Sequence, residues 1–236
     1  MSWQLGPFIR PEGKNPVIKP QENSIFDCPM RKRPIYWEKL HTFNPAAVVK
    51  DGEIYVLYRA EDDTGKMHVG GHTSRLGLAK SKDGIHFERM PTPVLYPDKD
   101  GQKRHEWDGG CEDPRLVRTV EGKFVLTYTQ YNRLIPKLAI ATSDDLIHWT
   151  KHGSAFSNHL LWKHRPTKSA SIICRIVEGE LRATKINGKY WMYFGERKLY
   201  LADSTDLIHW HPKKVVYRTR KRSEEHTSEL QSRQVI

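Results

Sequence analysis

The chain has 236 residues, enough for one large domain or two small ones, with a hydrophobic fraction of 37% and a mean hydropathy of −0.70. No run of apolar residues is long enough to span a bilayer, and MSWQLGPFIRPEGKNP has neither the basic nor the apolar region of a secretory signal, so a cytoplasmic protein is expected. The formal charge is +11, yet the basic clusters (Arg31-Lys32-Arg33; Lys213, Lys214, Arg218, Arg220, Lys221 and Arg222) fall in no nucleic-acid-binding signature and read as solvated surface, with attraction for anionic substrates second.

In chain order, the first elements are short strands. Ala46-Ala47-Val48-Val49 precedes a turn at Gly52, and Glu53-Ile54-Tyr55-Val56-Leu57-Tyr58 reads as the next strand. The same arrangement returns at Leu116–Thr119 and Gly122–Tyr128, and its second half again at Gly188–Phe194. Downstream of each comes a nine-residue pattern. Ala79-Lys-Ser81-Lys-Asp83-Gly-Ile85-His-Phe87 matches Ala141-Thr-Ser143-Asp-Asp145-Leu-Ile147-His-Trp149 and Ala202-Asp-Ser204-Thr-Asp206-Leu-Ile208-His-Trp210, at steps of 62 and 61 residues.

Each unit therefore reads strand, turn, strand, loop, strand, turn, strand. Asp83, Asp145 and Asp206 are expected to accept backbone N–H bonds in the last turn, with the aromatic residue packing between units. Four-stranded units in radial repetition make a β-propeller, an all-β fold. About three blades end near residue 214, whereas a five-bladed ring needs on the order of 300 residues. Arg222-Ser-Glu-Glu-His-Thr-Ser-Glu-Leu-Gln-Ser232 resembles a translated sequencing adapter. The expected organisation is a partial propeller over 1–221 and an artefactual, disordered tail over 222–236.

Asn44-Pro45 and Asp113-Pro114 occupy equivalent places before the first strands of their units and should both face the axis. Phe43-Asn44-Pro45-Ala46-Ala47, Tyr58-Arg59-Ala60-Glu61-Asp62, Gly109-Gly110-Cys111-Glu112-Asp113-Pro114-Arg115, Lys185-Ile186-Asn187-Gly188-Lys189-Tyr190 and Tyr193-Phe194-Gly195-Glu196 resemble signatures of glycoside hydrolase family 130. The resemblance covers nearly all of residues 1–221. It implies a five-bladed propeller acting on β-mannosides of manno-oligosaccharides, with inversion and without a cofactor.

By the same resemblance Asp113 protonates the glycosidic oxygen, because a sugar alkoxide is a poor leaving group. Burial and Glu112 would raise its pKa and Arg115, also a candidate substrate contact, would lower it. Asn44 and Arg59 resemble residues holding the mannosyl unit at the cleavage point. Asp62 and Trp107 are further sugar-contact candidates, the latter as a stacking platform. Glu196 resembles a catalytic base of the hydrolytic members, which makes hydrolysis of β-1,2-mannosides the leading reading. Arg165, Lys168 and Arg182 offer a phosphate site for the alternative, a phosphorylase with inorganic phosphate as co-substrate. A glycan-binding propeller without activity and an inactive fragment also fit the composition and the repeat. No metal is expected: three scattered cysteines (Cys28, Cys111, Cys174) and His68, His72, His105, His209 and His211 form no ligand pattern.

Overall fold

The computed structural model describes residues 9–68 and 70–218. The proposed tail over 222–236 lies outside the described residues. A hairpin of β1 (Ile25–Cys28) and β2 (Arg33–Tyr36) leads into a first antiparallel unit of β3 (His41–Lys50), β4 (Glu53–Glu61), β5 (Ser74–Ser81) and β6 (Glu88–Arg89). A one-turn helix α1 (Lys103–Glu106) precedes the second unit, β7 (Gly110–Thr119), β8 (Phe124–Tyr131), β9 (Pro136–Ser143) and β10 (Thr150–Ser154). The third unit opens with β11 (Ala170–Ile172). A separate hairpin follows, β12 (Cys174–Val177) and β13 (Glu180–Ala183), before β14 (Tyr190–Phe194), β15 (Lys198–Ser204) and β16 (His211–Arg218) complete it.

The chain is all-β, and among the described residues three four-stranded units, called blades below, recur at the spacing of the repeat. Among the described residues no sheet closes on itself, so the five-bladed ring implied by the resemblance goes beyond what they show. The hairpin β12–β13 is an insertion that the repeat did not reveal. It pairs in parallel with the far end of β7, Arg182 opposite Arg118.

The blades stack face to face, and the hydrophobic pattern shows why. In β8 every residue from Phe124 to Gln130 is buried, because one face meets the first blade and the other the third. Phe124, Leu126 and Tyr128 join Leu57, Leu76 and Leu78 of the first blade, while Val125 joins Ile172, Met192 and Phe194 of the third. The hairpin β1–β2 packs Phe26, Ile35 and Trp37 on Tyr58 and Ala60 at the other side of the first blade.

The Ser-x-Asp turns behave as expected. In each, the serine Oγ accepts two backbone N–H bonds and the aspartate Oδ1 two more, from Ile85 and His86, Ile147 and His148, and Ile208 and His209. The next histidine bonds the other carboxylate oxygen at 2.7–2.8 Å. These donors hold all three carboxylates well below their usual range. The residue after the aspartate is left-handed in every copy, Gly84 (φ +73°), Leu146 (φ +75°) and Leu207 (φ +66°). Burial of the two leucine side chains in the inter-blade cores offsets that strain. The aromatic residues pack as expected: Phe87 against the hairpin core, Trp149 between the first and second blades, Trp210 between the second and third.

Replacing Asp145 by Ala removes the carboxylate that accepts from two backbone N–H groups and is expected to cost roughly 1–2 kcal/mol. A urea melt should show a lower midpoint with an unchanged slope.

Candidate active site

Asn44-Pro45 and Asp113-Pro114 lie inside β3 and β7 rather than before them. Both strands lose register there, between Phe43 and Ala46 and between Glu112 and Arg115, and resume beyond. Proline has no N–H to give the ladder, and Asn44 and Asp113 take left-handed φ values of +46° and +50°. The resulting bulges re-aim the two side chains, which meet: the Asn44 Nδ2 donates to Asp113 Oδ1 at 2.7 Å.

The centre of the cluster is Arg59 of β4, a residue only 8% exposed. Its Nη1 donates to Asp113 Oδ1 at 3.0 Å, its Nη2 to Glu61 at 2.8 Å and Glu112 at 2.9 Å, and its Nε to Ser74 Oγ at 2.9 Å. The guanidinium carbon also lies 4.6 Å from the Phe43 ring centroid. Three carboxyl groups thus converge on one guanidinium. Burial pushes the Glu112 carboxyl up to about 7, aided by the charges of Asp113 and Glu61 and opposed by Arg59. Burial acts on Asp113 in the same sense, but Arg59 and the Asn44 amide outweigh it and hold that carboxyl below its usual range. The sequence-based expectation of Arg115 as the depressing charge is therefore corrected. Arg115 is exposed, its Nη1 turned back to the Pro114 carbonyl at 3.0 Å, and Arg59 does that work.

On the third blade, Lys168 Nζ pairs with Glu196 at 2.9 Å and lies within electrostatic reach of Asp113 and Glu112. Burial lowers its affinity for a proton, and the three carboxylates more than restore it. The loop before it is pinned to β9: Lys137 Nζ donates to the carbonyls of Lys163 and Arg165 at 2.7 and 2.8 Å, and the Thr167 N–H donates to that of Pro136 at 3.0 Å.

Other expected site residues lie elsewhere. Asp62 is fully buried, paired to Arg75 Nη1 at 2.7 Å and bonded by Thr64, and has no face for a sugar. Strand parity explains this, since Arg59 and Glu61 point to one side of β4 and the next residue to the other. The same rule makes Glu61 legible as a site residue beside Arg59, although the motif alone did not single it out; Ser74 enters as its cross-strand partner. Trp107 is half-buried with the Arg31 guanidinium 5.1 Å from its ring centroid. Arg165 is exposed over Trp162. Arg182 bonds Thr119 and Glu180 at the end of β7 away from Asp113, on the order of 15 Å along the strand. Of the three cations expected to build a phosphate site, only Lys168 stands beside the cluster.

A family model described as beta-1,4-mannooligosaccharide phosphorylase, that of glycoside hydrolase family 130, matches residues 10–231. The chain belongs to glycoside hydrolase family 130. It is similar to a 1,2-beta-oligomannan phosphorylase of Thermoanaerobacter sp. (strain X514), 33% identical over 184 residues, 76% of this chain and 55% of that protein. A solved family 130 structure is 51% identical with a TM-score of 0.90, covering 93% of this chain and 64% of its own; it comes from work on glycoside hydrolases of this family that target beta-1,2 mannosidic linkages in Candida mannan. A glycosyl hydrolase structure from Bacteroides ovatus is 51% identical with a TM-score of 0.89, over 92% of this chain and 63% of its own. The family 130 chain described here thus spans about half the length of the curated relative and less than two thirds of these structures.

Because Glu112 titrates near 7 in the fold against an ordinary 4.5, its protonated form is the one the folded state favours. The stability tied to it is fully present below about pH 4.5 and lost as pH rises through about 7. Wild type is therefore expected to lose thermal stability relative to Glu112→Gln across that window, with a constant difference above it. Arg59→Met leaves three carboxyls without their cation and should destabilise by roughly 3–5 kcal/mol, read from a denaturant midpoint.

Proposed function

We propose that the protein cleaves β-mannosidic bonds of manno-oligosaccharides by a single inverting displacement, with Asp113 as the proton donor to the leaving oxygen. The observation that carries this is the meeting of Arg59 with Asn44 and Asp113, the latter two presented by bulged strands, within a family 130 fold. The C1–O bond of the mannosyl unit breaks, an acceptor oxygen bonds to C1 from the opposite face, and the Asp113 proton leaves with the departing sugar. In the cluster as it stands Arg59 and Asn44 favour an ionised Asp113, and Glu112 holds the proton. Sugar hydroxyls that draw the Asn44 amide and the Arg59 N–H groups to themselves weaken that hold. Asp113 then takes up a proton in the dry site, where it is needed.

The acceptor is phosphate or water. The curated relatives, a 1,2-beta-oligomannan phosphorylase and a beta-1,2-mannobiose phosphorylase, back phosphorolysis over the hydrolysis favoured by the sequence motifs. In that reading Lys168 contributes a cation to the phosphate. Hydrolysis stays as the second reading on a specific observation: Lys168 is already neutralised by Glu196, Arg165 and Arg182 are engaged elsewhere, and the 51%-identical structure comes from work on family hydrolases. There Glu196 takes the proton of the attacking water.

Incubating the protein with β-1,2- and β-1,4-mannobiose, with and without inorganic phosphate, separates the two. Mannose 1-phosphate formed only with phosphate establishes the phosphorylase. Mannose formed without phosphate, and lost in Glu196→Gln, establishes the hydrolase. Asp113→Asn should reduce either activity by roughly 10²–10⁴-fold, and no cleavage of any β-mannoside would overturn the proposal. Above about pH 7, where Glu112 loses its proton, kcat/KM should fall.

A further inference from the structure

The left-handed bend that presents Asn44 and Asp113 occurs a third time, here just before β11 rather than at a register shift within a strand. Gly52–Tyr58, Gly122–Tyr128 and Gly188–Phe194 are repeats of one strand, so Leu57, Thr127 and Tyr193 are equivalent positions. Their partners across the ladder are Ala46, Arg115 and Ser171. Two residues before each of these partners stand Asn44, Asp113 and Ser169. All three are left-handed, at φ +46°, +50° and +56°. Serine has neither the freedom of glycine nor the local preference of Asn and Asp for that region, so the conformation is strained and is held by its surroundings. The surroundings are visible: the Gly195 N–H donates to the Lys168 carbonyl at 3.2 Å and to that of Ser169 at 3.0 Å, pinning the bend.

The same bend carries Lys168, which stands at the position of Glu112 and feels the charges of Asp113 and Glu112. The third blade therefore brings its left-handed bend to the same cluster as the other two. Ser169 itself is half-buried, and its hydroxyl makes no hydrogen bond to any of the described residues. Asn44 and Asp113 satisfy each other and Arg59 satisfies both carboxyl neighbours, whereas this hydroxyl, one donor and two acceptor sites, is uncommitted.

We propose that Ser169 is a third substrate-positioning residue of the site, its hydroxyl hydrogen-bonding a hydroxyl of the mannoside whose linkage Asp113 protonates. The inference rests on the mannoside-cleaving reading above. A sugar hydroxyl suits the position: it both donates and accepts, as serine does, and it needs no charge in a cluster already supplied with carboxyl groups.

The experiment compares wild type, Ser169→Ala and Ser169→Gly on mannobiose and on singly deoxygenated mannobiosides. Both variants are expected to lower kcat/KM for mannobiose roughly 3- to 10-fold, the range for one neutral hydrogen bond. The loss should vanish on the one deoxy substrate that lacks the contacted hydroxyl. Glycine takes the left-handed conformation freely, so a purely backbone role predicts wild-type activity in Ser169→Gly, and that result overturns the proposal. So does an unchanged loss on every deoxy substrate, or, in a phosphorylase, a rise in KM for phosphate with none for mannobiose. Wild type that cleaves mannosides, and loses this in Asp113→Asn, isolates a failure of the Ser169 inference. Wild type without such cleavage sinks the functional reading instead.

Discussion

Everything at the mouth of this fold depends on one buried guanidinium. Glu61, Glu112 and Asp113 lie on two strands of neighbouring blades, and without a cation between them their mutual repulsion and desolvation would force the blades apart or the side chains outward. Arg59 fits because its planar fork spreads donors in three directions, which a lysine ammonium does not do with the same fixed geometry. The same residue reaches Ser74 on β5, and Ser74 pairs in parallel with Gly110 at the start of β7. The seam between the first two blades and the chemical centre are thus one structure. Gly110 shows how tight the seam is: a Cβ there would lie 2.2 Å from the Ser74 carbonyl oxygen, and its φ of +120° admits only glycine.

One guanidinium cannot neutralise three carboxylates, and the cluster resolves the excess by protonation. Glu112, the more buried of the adjacent pair, keeps its proton to about pH 7, while Asp113, bonded by both Arg59 and Asn44, gives its proton up. This inverts the simplest picture of a family 130 acid, in which the donor is already protonated at rest. It makes proton occupancy of Asp113 conditional on what Asn44 and Arg59 are bonded to; under the proposed function, that ties proton donation to a sugar in place. Lys168 and Glu196, contributed by the third blade, form a neutral pair at the edge of this system.

The repeated blade supplies a repeated device. A left-handed residue interrupts β3 and β7 and directly precedes β11, and in the first two the register shift re-aims the side chain toward the cluster. Three copies of one backbone irregularity thereby give an amide, a carboxyl and a hydroxyl in three quasi-equivalent places. The scaffold around them is held by ordinary means: inter-blade apolar cores, and Ser-x-Asp turns whose aspartates spend their charge on backbone N–H groups rather than on chemistry.

The sequence by itself determined the all-β class, the repeat with its turns and aromatic wedges, and the equivalence of Asn44 and Asp113, because these are local or periodic properties that recur in register along the chain. It also carried the family resemblance through contiguous motifs. It did not separate Arg59 and Glu61 from Asp62, although strand parity contains that distinction. Which charges touch was decided only by the tertiary structure: Arg115 sits two residues from Asp113 but faces away, while Arg59, far along the chain, bonds it. Lys168 pairs with Glu196, Arg165 lies over Trp162 and Arg182 bonds the Thr119 carbonyl for the same reason. Long cationic side chains go to whichever carboxyl, carbonyl or ring the fold brings within reach, and that depends on blade packing, which no local pattern encodes.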